Sequence, residues 1–543
     1  MLGRMMDYPL TLTHFLERAR TLFPRAEIVS RCADGTLRRT TYGQLYPRVC
    51  RLAQALIRLG IKPGDRVATL AWNHDRHLEA YLAIPAVGAV LHTLNLRLHP
   101  NDLGYIARHA EDQIVIADAS LLPLLQQFVA NVPSIRRVIV IPDVPAPAPR
   151  DSMHLDYETL LAAEKDSFDF PKLDENTAAI LCYTSGTTGN PKGVLYSHRS
   201  TVLHTLVGCM TDAFGISEND TVMPVVPMFH ANAWGLPYIC ACIGAKMVFP
   251  GPKLDPPSLL DLMASERVTL AAGVPTIWLG ILALLDESPK KWDLAAMRRT
   301  VVGGSAAPPA MIDGFRTRHG IDVMHAWGMT ETSPIGTVAR VKRDLLSGDS
   351  QKTLAIRATQ GYAVPLVETR HVDDAGRVLP LDAETMGELE VRGPWVASSY
   401  FGDEGADRFT RDGWFKTGDV VTIDGEGYLS ICDRSKDVIK SGGEWISSVE
   451  LENALMSHPA VLEAAVFAGK HAKWSERPIA AVVWKSGQRA TEEELSAHLS
   501  SRFAKFWLPD AYVFVEQIPR TSTGKFLKSK LREQYGNRLL QDR

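Results

Sequence analysis

Several classes of protein are excluded by what this sequence has little of. The formal net charge of the 543 residues is only −3, so no excess of positive charge favours a nucleic-acid backbone. The seven cysteines (Cys32, Cys50, Cys182, Cys209, Cys240, Cys242 and Cys432) are odd in number and scattered, with no Cys-x-x-Cys pair. Cys240 and Cys242 lack the second pair that zinc would need, and the expectation is reduced, mostly buried thiols in a cytoplasmic protein. No run reaches the roughly 18 apolar residues of a membrane span. The opening MLGRMMDYPLTLTHFLERAR has no uninterrupted apolar core of signal-peptide type. The closing LLQDR carries no peroxisomal or lipidation tail.

What is present is enough chain for two to four ordinary domains of about 100–200 residues each. The first part alternates helix-like and strand-like segments. Leu45, Val49, Leu52, Leu56 and Leu59 fall on one helical face. GDRVATLAW, QIVIADA and RRVIVIPD read as short apolar strands, with a helix from Leu103 to Ala110. The same pattern returns from Asn219 to His325 in DTVMPVVP, AKMVFP, VTLAAG, RRTVVGG and IDVMHAWG. This alternation predicts doubly wound α/β layers. PDVPAPAPRD, Pro142 to Asp151, reads as a proline-rich surface connection.

After roughly Val341 the character changes. GELEVRGPWV and GWFKTGDVVTIDGEGYLSICD look like antiparallel β structure. A charged stretch ending in two glycines follows, DRSKDVIKSGG, Asp433 to Gly443. Beyond it a small α+β unit is expected, with strands in AVLEAAVFAG and RPIAAVVW and capping boxes at Ser447–Glu450 and Thr491–Glu494. The predicted organisation is a large N-terminal domain (1–433) that includes a β subdomain, a hinge (434–443) and a small mobile C-terminal domain (444–543).

One stretch has a composition that no packed element favours. YTSGTTGNPKGV, Tyr183 to Val194, holds three glycines, three threonines, a serine and a lysine, and it follows the apolar strand TAAILCYT. Glycines let backbone N–H groups turn inward as an anion cradle. Thr184, Ser185, Thr187 and Thr188 add hydroxyls, and Lys192 adds a full charge. Together with Gly186 and Gly189 they suit a polyphosphate. The pattern G-x-x-x-x-G-K-[ST] is absent, because the lysine lies six residues after Gly186. Taken alone, the stretch would equally suit a flexible surface loop.

Distant motifs decide between these readings. PMFHANAWG (Pro227–Gly235), VVGGSAAP (Val301–Pro308), HAWGMTETSP (His325–Pro334), KTGDV (Lys416–Val420), DRSKDVIKSGGEWIS (Asp433–Ser447) and PRTSTGK (Pro519–Lys525) follow in order. With the glycine-rich stretch they resemble the signature of the acyl-adenylate-forming superfamily. That superfamily includes acyl-CoA synthetases, adenylation domains of peptide synthetases and beetle luciferases; the likeness is greatest to bacterial medium- and long-chain fatty acid CoA ligases. The reaction this implies needs ATP, Mg²⁺ and coenzyme A. A carboxylate attacks the α-phosphate, pyrophosphate leaves, and a thiol then displaces AMP from the acyl-adenylate. Both steps depend mainly on positioning and charge neutralisation.

The resemblance implies a role for each matching residue. Glu331 and Thr184 would hold Mg²⁺ on the phosphates. Trp327, where most relatives have tyrosine, would stack on adenine, with Gly328, Met329 and Thr330 beside it and Gly304, Ser305 and Ala306 small enough to admit the nucleotide. Asp419 would bind both ribose hydroxyls, and Arg434 would add a second ribose or phosphate contact. Lys525 would bridge the carboxylate and the α-phosphate during adenylation. Lys436 matches the family's pivot and nucleotide contact. Lys440 and Trp445 would touch the adenylate, while Gly442 and Gly443 would line the pantetheine channel.

His230, Ala231, Trp234 and Gly303 are placed by the same likeness at the acyl mouth, with Trp234 as a gate. No carboxylate stands between Pro227 and Gly235, so nothing there would bind the ammonium of an amino acid. The favoured expectation is an ATP-dependent fatty acid CoA ligase. Its rivals are a ligase for a short acid, such as a methylthio- or aryl-substituted propionate, and a nucleotide-binding module that has lost turnover. The resemblance also implies a homodimer through the N-terminal domain.

Overall fold

The computed structural model describes every residue except 2, 145–150, 185–189, 347, 442–443, 522–525 and 542–543. The apolar strand segments assemble into two large sheets. One has seven strands in the order His154–Asp156, Arg137–Ile141, Ile114–Asp118, Arg66–Leu70, Val90–Thr93, Ala178–Tyr183 and Gly193–Ser197. All its neighbours run parallel except the last, which returns antiparallel after the glycine-rich stretch. The second has nine strands. Its centre is parallel, from Asp322–Gly328 through Arg299–Val302, Leu270–Gly273, Thr221–Pro224 and Lys246–Phe249 to Glu27–Arg31. Antiparallel strands close both of its ends. Parallel sheets need both faces covered by helices, which is the doubly wound arrangement expected.

The helix Asp75–Ala86 lies between the two sheets and touches strands of both. Along its length only Arg76 reaches intermediate exposure, as suits a helix in the middle of a core. Its two buried carboxylates are paired, because unpaired charge at this depth is costly. Asp75 meets Arg38 and Arg76, and Glu79 meets Arg48 at 2.6 Å and the Tyr157 hydroxyl at 2.6 Å. The face expected on the helix Tyr42–Arg58 is inward, with Leu45, Val49, Leu52 and Leu56 buried.

The β subdomain is a four-stranded antiparallel sheet of Glu368–Val372, Gly387–Arg392, Phe415–Ile423 and Leu429–Arg434. The C-terminal unit has its own sheet, in which Val461–His471 and Ser475–Trp484 form a long hairpin and Ala511–Phe514 adds in parallel. Two details differ from expectation. Within the segment read as hinge, Ile439–Ser441 already pairs with Glu444–Ile446 and touches the C-terminal sheet at Ser475, so the unpaired stretch is shorter than 434–443. At Ser447 only half of the capping box forms. Its hydroxyl accepts from Glu450 N at 3.2 Å and donates to Cys432 O at 2.6 Å, while the Thr491–Glu494 box closes reciprocally.

That bond to Cys432 is one of several fastening the C-terminal unit to the last strand of the β subdomain. Asp433 accepts from Ser448 N at 3.1 Å, at the N-terminus of the helix Ser448–Met456. Buried Lys528 reaches Glu452 at 2.7 Å and stands 3.9 Å from Asp433. Those two carboxylates keep the Lys528 ammonium charged against the cost of its burial. All seven cysteines are free thiols, and no helix among the described residues is long and apolar enough to cross a membrane.

Candidate active site

Open α/β sheets place ligand sites beyond the carboxyl ends of their strands, and the motif residues converge there. Thr184 follows the strand Ala178–Tyr183, Gly303 and Gly304 follow Arg299–Val302, and Trp327 and Gly328 end the strand Asp322–Gly328. A cavity of about 390 Å³ is bounded by Thr184, Lys192, His230, Trp234, Trp327 and Glu331, among others. A second cavity of about 230 Å³ shares Gly304, Trp327 and Gly328 with it and adds Ser305, Ala306 and Asp419.

Trp327 and Asp419 are joined directly. The indole Nε1 donates to Asp419 Oδ2 at 2.9 Å, and Arg434 Nε donates to Oδ1 at 2.8 Å. Asp419 and Arg434 are opposed residues of one antiparallel pair, so the sheet itself sets this contact. Asp419 is 2% exposed. Each of its oxygens still has a lone pair beyond the bond it accepts.

Glu331 is buried, not the exposed carboxylate of a helix start. It lies in a short 3₁₀ turn, Thr330–Thr332. Its backbone oxygen accepts from Ala397 N at 2.8 Å, and its Oε1 accepts from the Tyr400 hydroxyl at 2.6 Å. Next to it, Tyr196 donates to Thr330 O at 2.6 Å. Thr184 and Lys192 close the base of the glycine-rich stretch, with Thr184 N bonded to Lys192 O at 2.9 Å and Lys192 N to Thr184 Oγ1 at 3.1 Å. Ser185, Gly186, Thr187, Thr188 and Gly189, and likewise Gly442 and Gly443, lie outside the described residues.

The acyl motif has an uncommon backbone. Ala231, Asn232, Ala233 and Trp234 all have positive φ, from 41° to 58°, and Gly235 continues at 78°. A left-handed turn costs L-residues about 1–2 kcal/mol each, so its surroundings must hold it. Asn232 Oδ1 accepts from the Cys182 thiol at 3.1 Å, and Gly235 N bonds to Asn232 O at 3.0 Å. The Trp234 indole lines the cavity, 3.4 Å from where a Cβ on Gly303 would stand. Beneath it His204 accepts from Ile335 N at 3.3 Å, and burial pushes its pKa down to about 3.

A methyl group at Gly235 would meet the His204 ring at 2.8 Å on a backbone that disfavours it. Gly235→Ala is therefore expected to destabilise the protein by about 1–3 kcal/mol, read as a lower thermal unfolding midpoint; an unchanged midpoint would mean that the turn is not held as described.

The C-terminal unit also faces the cavity. Thr521, Phe526, Lys528 and Arg532 border it, together with Lys436. Lys525 lies outside the described residues, between two residues that border the cavity. Lys436 is exposed, and partial desolvation by its neighbours lowers its pKa. Lys440 and Trp445 are not brought to the cavity in this orientation. They pair with each other across a short hairpin, with the ammonium 5.2 Å from the indole centroid. Motif reading missed Tyr400, Lys528 and Arg532. Tyr400 stands in SSYFGDEG, whose only local signal is a turn, and Lys528 and Arg532 read as an ordinary basic helix face.

This chain belongs to the AMP-binding enzyme family: residues 16–401 match the AMP-binding enzyme pattern, and residues 450–525 match the AMP-binding enzyme C-terminal domain. Family and relatives together mark an AMP-forming acid–CoA ligase. The chain is 51% identical to a long-chain-fatty-acid–CoA ligase of Thermus thermophilus, over 98% of this chain and 97% of that protein. It is 47% identical to a 3-methylmercaptopropionyl-CoA ligase of Ruegeria lacuscaerulensis, over 99% of this chain and all of that one. Among solved structures, an anthranilate CoA ligase in complex with anthranoyl-AMP superposes with a TM-score of 0.86 at 25% identity, covering 97% of this chain and 98% of that one.

Proposed function

We propose that the protein is an ATP-dependent acyl-CoA synthetase that activates a medium- or long-chain fatty acid as its acyl-adenylate and transfers the acyl group to coenzyme A. The observation that carries this reading is the convergence of Glu331, Thr184, Lys192, His230 and Trp234 on one cavity, joined through Trp327 to the adjoining cavity that Asp419 lines. Three demands of the reaction (a flat face and a carboxylate for the nucleoside, donors and charge for phosphates, an apolar floor for the acid) are met on adjoining walls.

In this reading Trp327 stacks on adenine and Asp419 accepts from the ribose. Thr184, Lys192 and the glycine-rich residues 185–189 grip the phosphates. Glu331 suits Mg²⁺, which usually binds one or two carboxylates plus substrate phosphates. Among the described residues no trio of His, Cys, Asp and Glu forms an all-protein cage, which agrees with that mode. The metal, when bound, would offset phosphate charge. His230 and Ala231 orient the carboxylate above Trp234 and Gly303. Lys525 offsets the repulsion between carboxylate and α-phosphate as the new P–O bond forms and pyrophosphate departs. A rotation of residues 444–543 about Lys436 then gives the thiol access along Gly442 and Gly443, with Lys440 and Trp445 turned toward the adenylate. The enzyme is proposed to work in the cytoplasm as a homodimer, on the strength of the family likeness.

A short acid is the second reading. Trp234 lines a cavity whose 390 Å³ lies near the low end of the about 300–1,000 Å³ usual for ligand sites. The Ruegeria relative named for 3-methylmercaptopropionyl-CoA points the same way. Saturated acids from butanoate to hexadecanoate, assayed beside 3-methylthiopropionate, separate the two. The fatty acid reading predicts kcat/KM rising with chain length by up to about 15-fold for every two added methylenes that are fully buried, at about 0.8 kcal/mol per buried CH₂. A maximum at the shortest acids, or at 3-methylthiopropionate, would contradict it.

A further inference from the structure

The segment Trp395–Phe401 backs the phosphate end of the site. Its backbone is stitched to both halves of that end: Ala397 N donates to Glu331 O at 2.8 Å, and Phe401 N donates to Gly193 O at 2.8 Å. Ser333 Oγ donates to Trp395 O at 2.7 Å, and the Trp395 indole donates to Ile335 O at 2.9 Å. Tyr400 is the next-to-last residue of this segment and is 4% exposed. Its ring is wedged against Phe409 and Phe415, at centroid distances of 5.7 and 6.5 Å. The Lys192 ammonium stands 5.1 Å from the ring centroid, within cation–π range. The Tyr400 hydroxyl donates to Glu331 Oε1 at 2.6 Å.

An ionised carboxylate only accepts hydrogen bonds, so the Tyr400 O–H fixes one oxygen of Glu331, a residue that lines the cavity. One side chain thus touches both charged groups of the phosphate end.

We propose that Tyr400 is a positioning residue for the metal–nucleotide complex, orienting the Glu331 carboxylate through its hydroxyl and seating Lys192 on its ring. This rests on the reading of Glu331 as the metal-binding carboxylate. Partners of metal-bound carboxylates typically contribute about 10–100-fold in metal affinity. Phenylalanine at this position keeps the ring, its packing and the Lys192 contact, and removes only the donor.

The test is binding, not turnover. The affinity of Mn²⁺ for the complex with a β,γ-methylene ATP analogue is read by the paramagnetic resonance of free Mn²⁺. Tyr400→Phe is expected to weaken it by about 10–100-fold, while analogue binding without metal changes less than about threefold. 4-Aminophenylalanine at 400 restores a donor and is expected to recover the metal affinity. Unchanged metal affinity in Tyr400→Phe overturns the proposal, as does an equal loss with and without metal, the mark of a merely structural role.

A second measurement needs no substitution. In the natural protein, a ¹³Cζ label on tyrosine 400 is expected to shift when Mg²⁺ and analogue are added together and not with analogue alone. A resonance indifferent to the metal overturns the proposal. Glu331→Gln separates the underlying reading: if it leaves metal affinity intact, the role of Glu331 fails; if it weakens affinity and Tyr400→Phe does not, the role of Tyr400 alone fails.

Discussion

Replacing Lys525 with alanine is expected to lower acid-dependent exchange between pyrophosphate and ATP by about 10²–10³-fold, the usual loss when a charge-stabilising group leaves a site. The cause is the encounter of two anions. A carboxylate must approach an α-phosphate that already carries negative charge, and a lysine ammonium is a compact point charge able to stand between them. Lys525 is the last residue of PRTSTGK, and Thr521 and Phe526 on either side border the cavity. Thioester formation from supplied acyl-AMP has no such repulsion to offset, so it is expected to change less than about tenfold. Equal losses in the two half-reactions would remove Lys525 from the role proposed.

Lys436→Pro is expected to divide the half-reactions the other way. Proline fixes φ near −65°, and a pivot must change its backbone angles to swing the C-terminal unit. Around it, Asp437 N and Val438 N both bond to Arg434 O at 2.8 Å, and the unit is fastened through Ser447, Ser448 and the Lys528–Asp433 pair, with Thr521, Phe526 and Lys528 bordering the cavity. A pivot locked in this orientation is expected to hold pyrophosphate exchange within about tenfold while thioester formation falls by about 10²-fold or more, the cost of a misplaced reactive group. Parallel loss in both steps would show that no rotation at Lys436 separates them.

Much of the site was legible because its chemistry is written in short contiguous stretches. Thr184 and Lys192, on either side of residues 185–189, and the Trp327–Glu331 run line one cavity, and Asp419 lines the adjoining one. The layers were legible too, since hydrophobic periodicity reports burial directly. Strand order was not. Glu27–Arg31 and its hairpin partner Leu37–Thr41 join the nine-stranded sheet beside Lys246–Phe249, a partnership between segments about two hundred residues apart that no local pattern encodes. The seven-stranded sheet likewise closes only with Ala178–Tyr183 and Gly193–Ser197.

The turn from Ala231 to Trp234 could not be read either. Alanine and tryptophan ordinarily favour right-handed backbone, and here tertiary contacts from Cys182, and the room left at Gly235 beside His204, override them. Tyr400 escaped for a similar reason: its meaning lies in a hydroxyl 2.6 Å from a residue 69 positions away. Lys440 and Trp445 illustrate the converse, motif residues that pair with each other and line neither cavity in this orientation.

The most direct test withholds coenzyme A. Purified protein mixed with ATP, Mg²⁺ and a saturated fatty acid is expected to release pyrophosphate in step with enzyme-bound acyl-AMP, and later addition of coenzyme A to convert that intermediate to thioester and free AMP. If no carboxylic acid in the series triggers pyrophosphate release, the cavity beneath the C-terminal unit does not carry out the chemistry assigned to it.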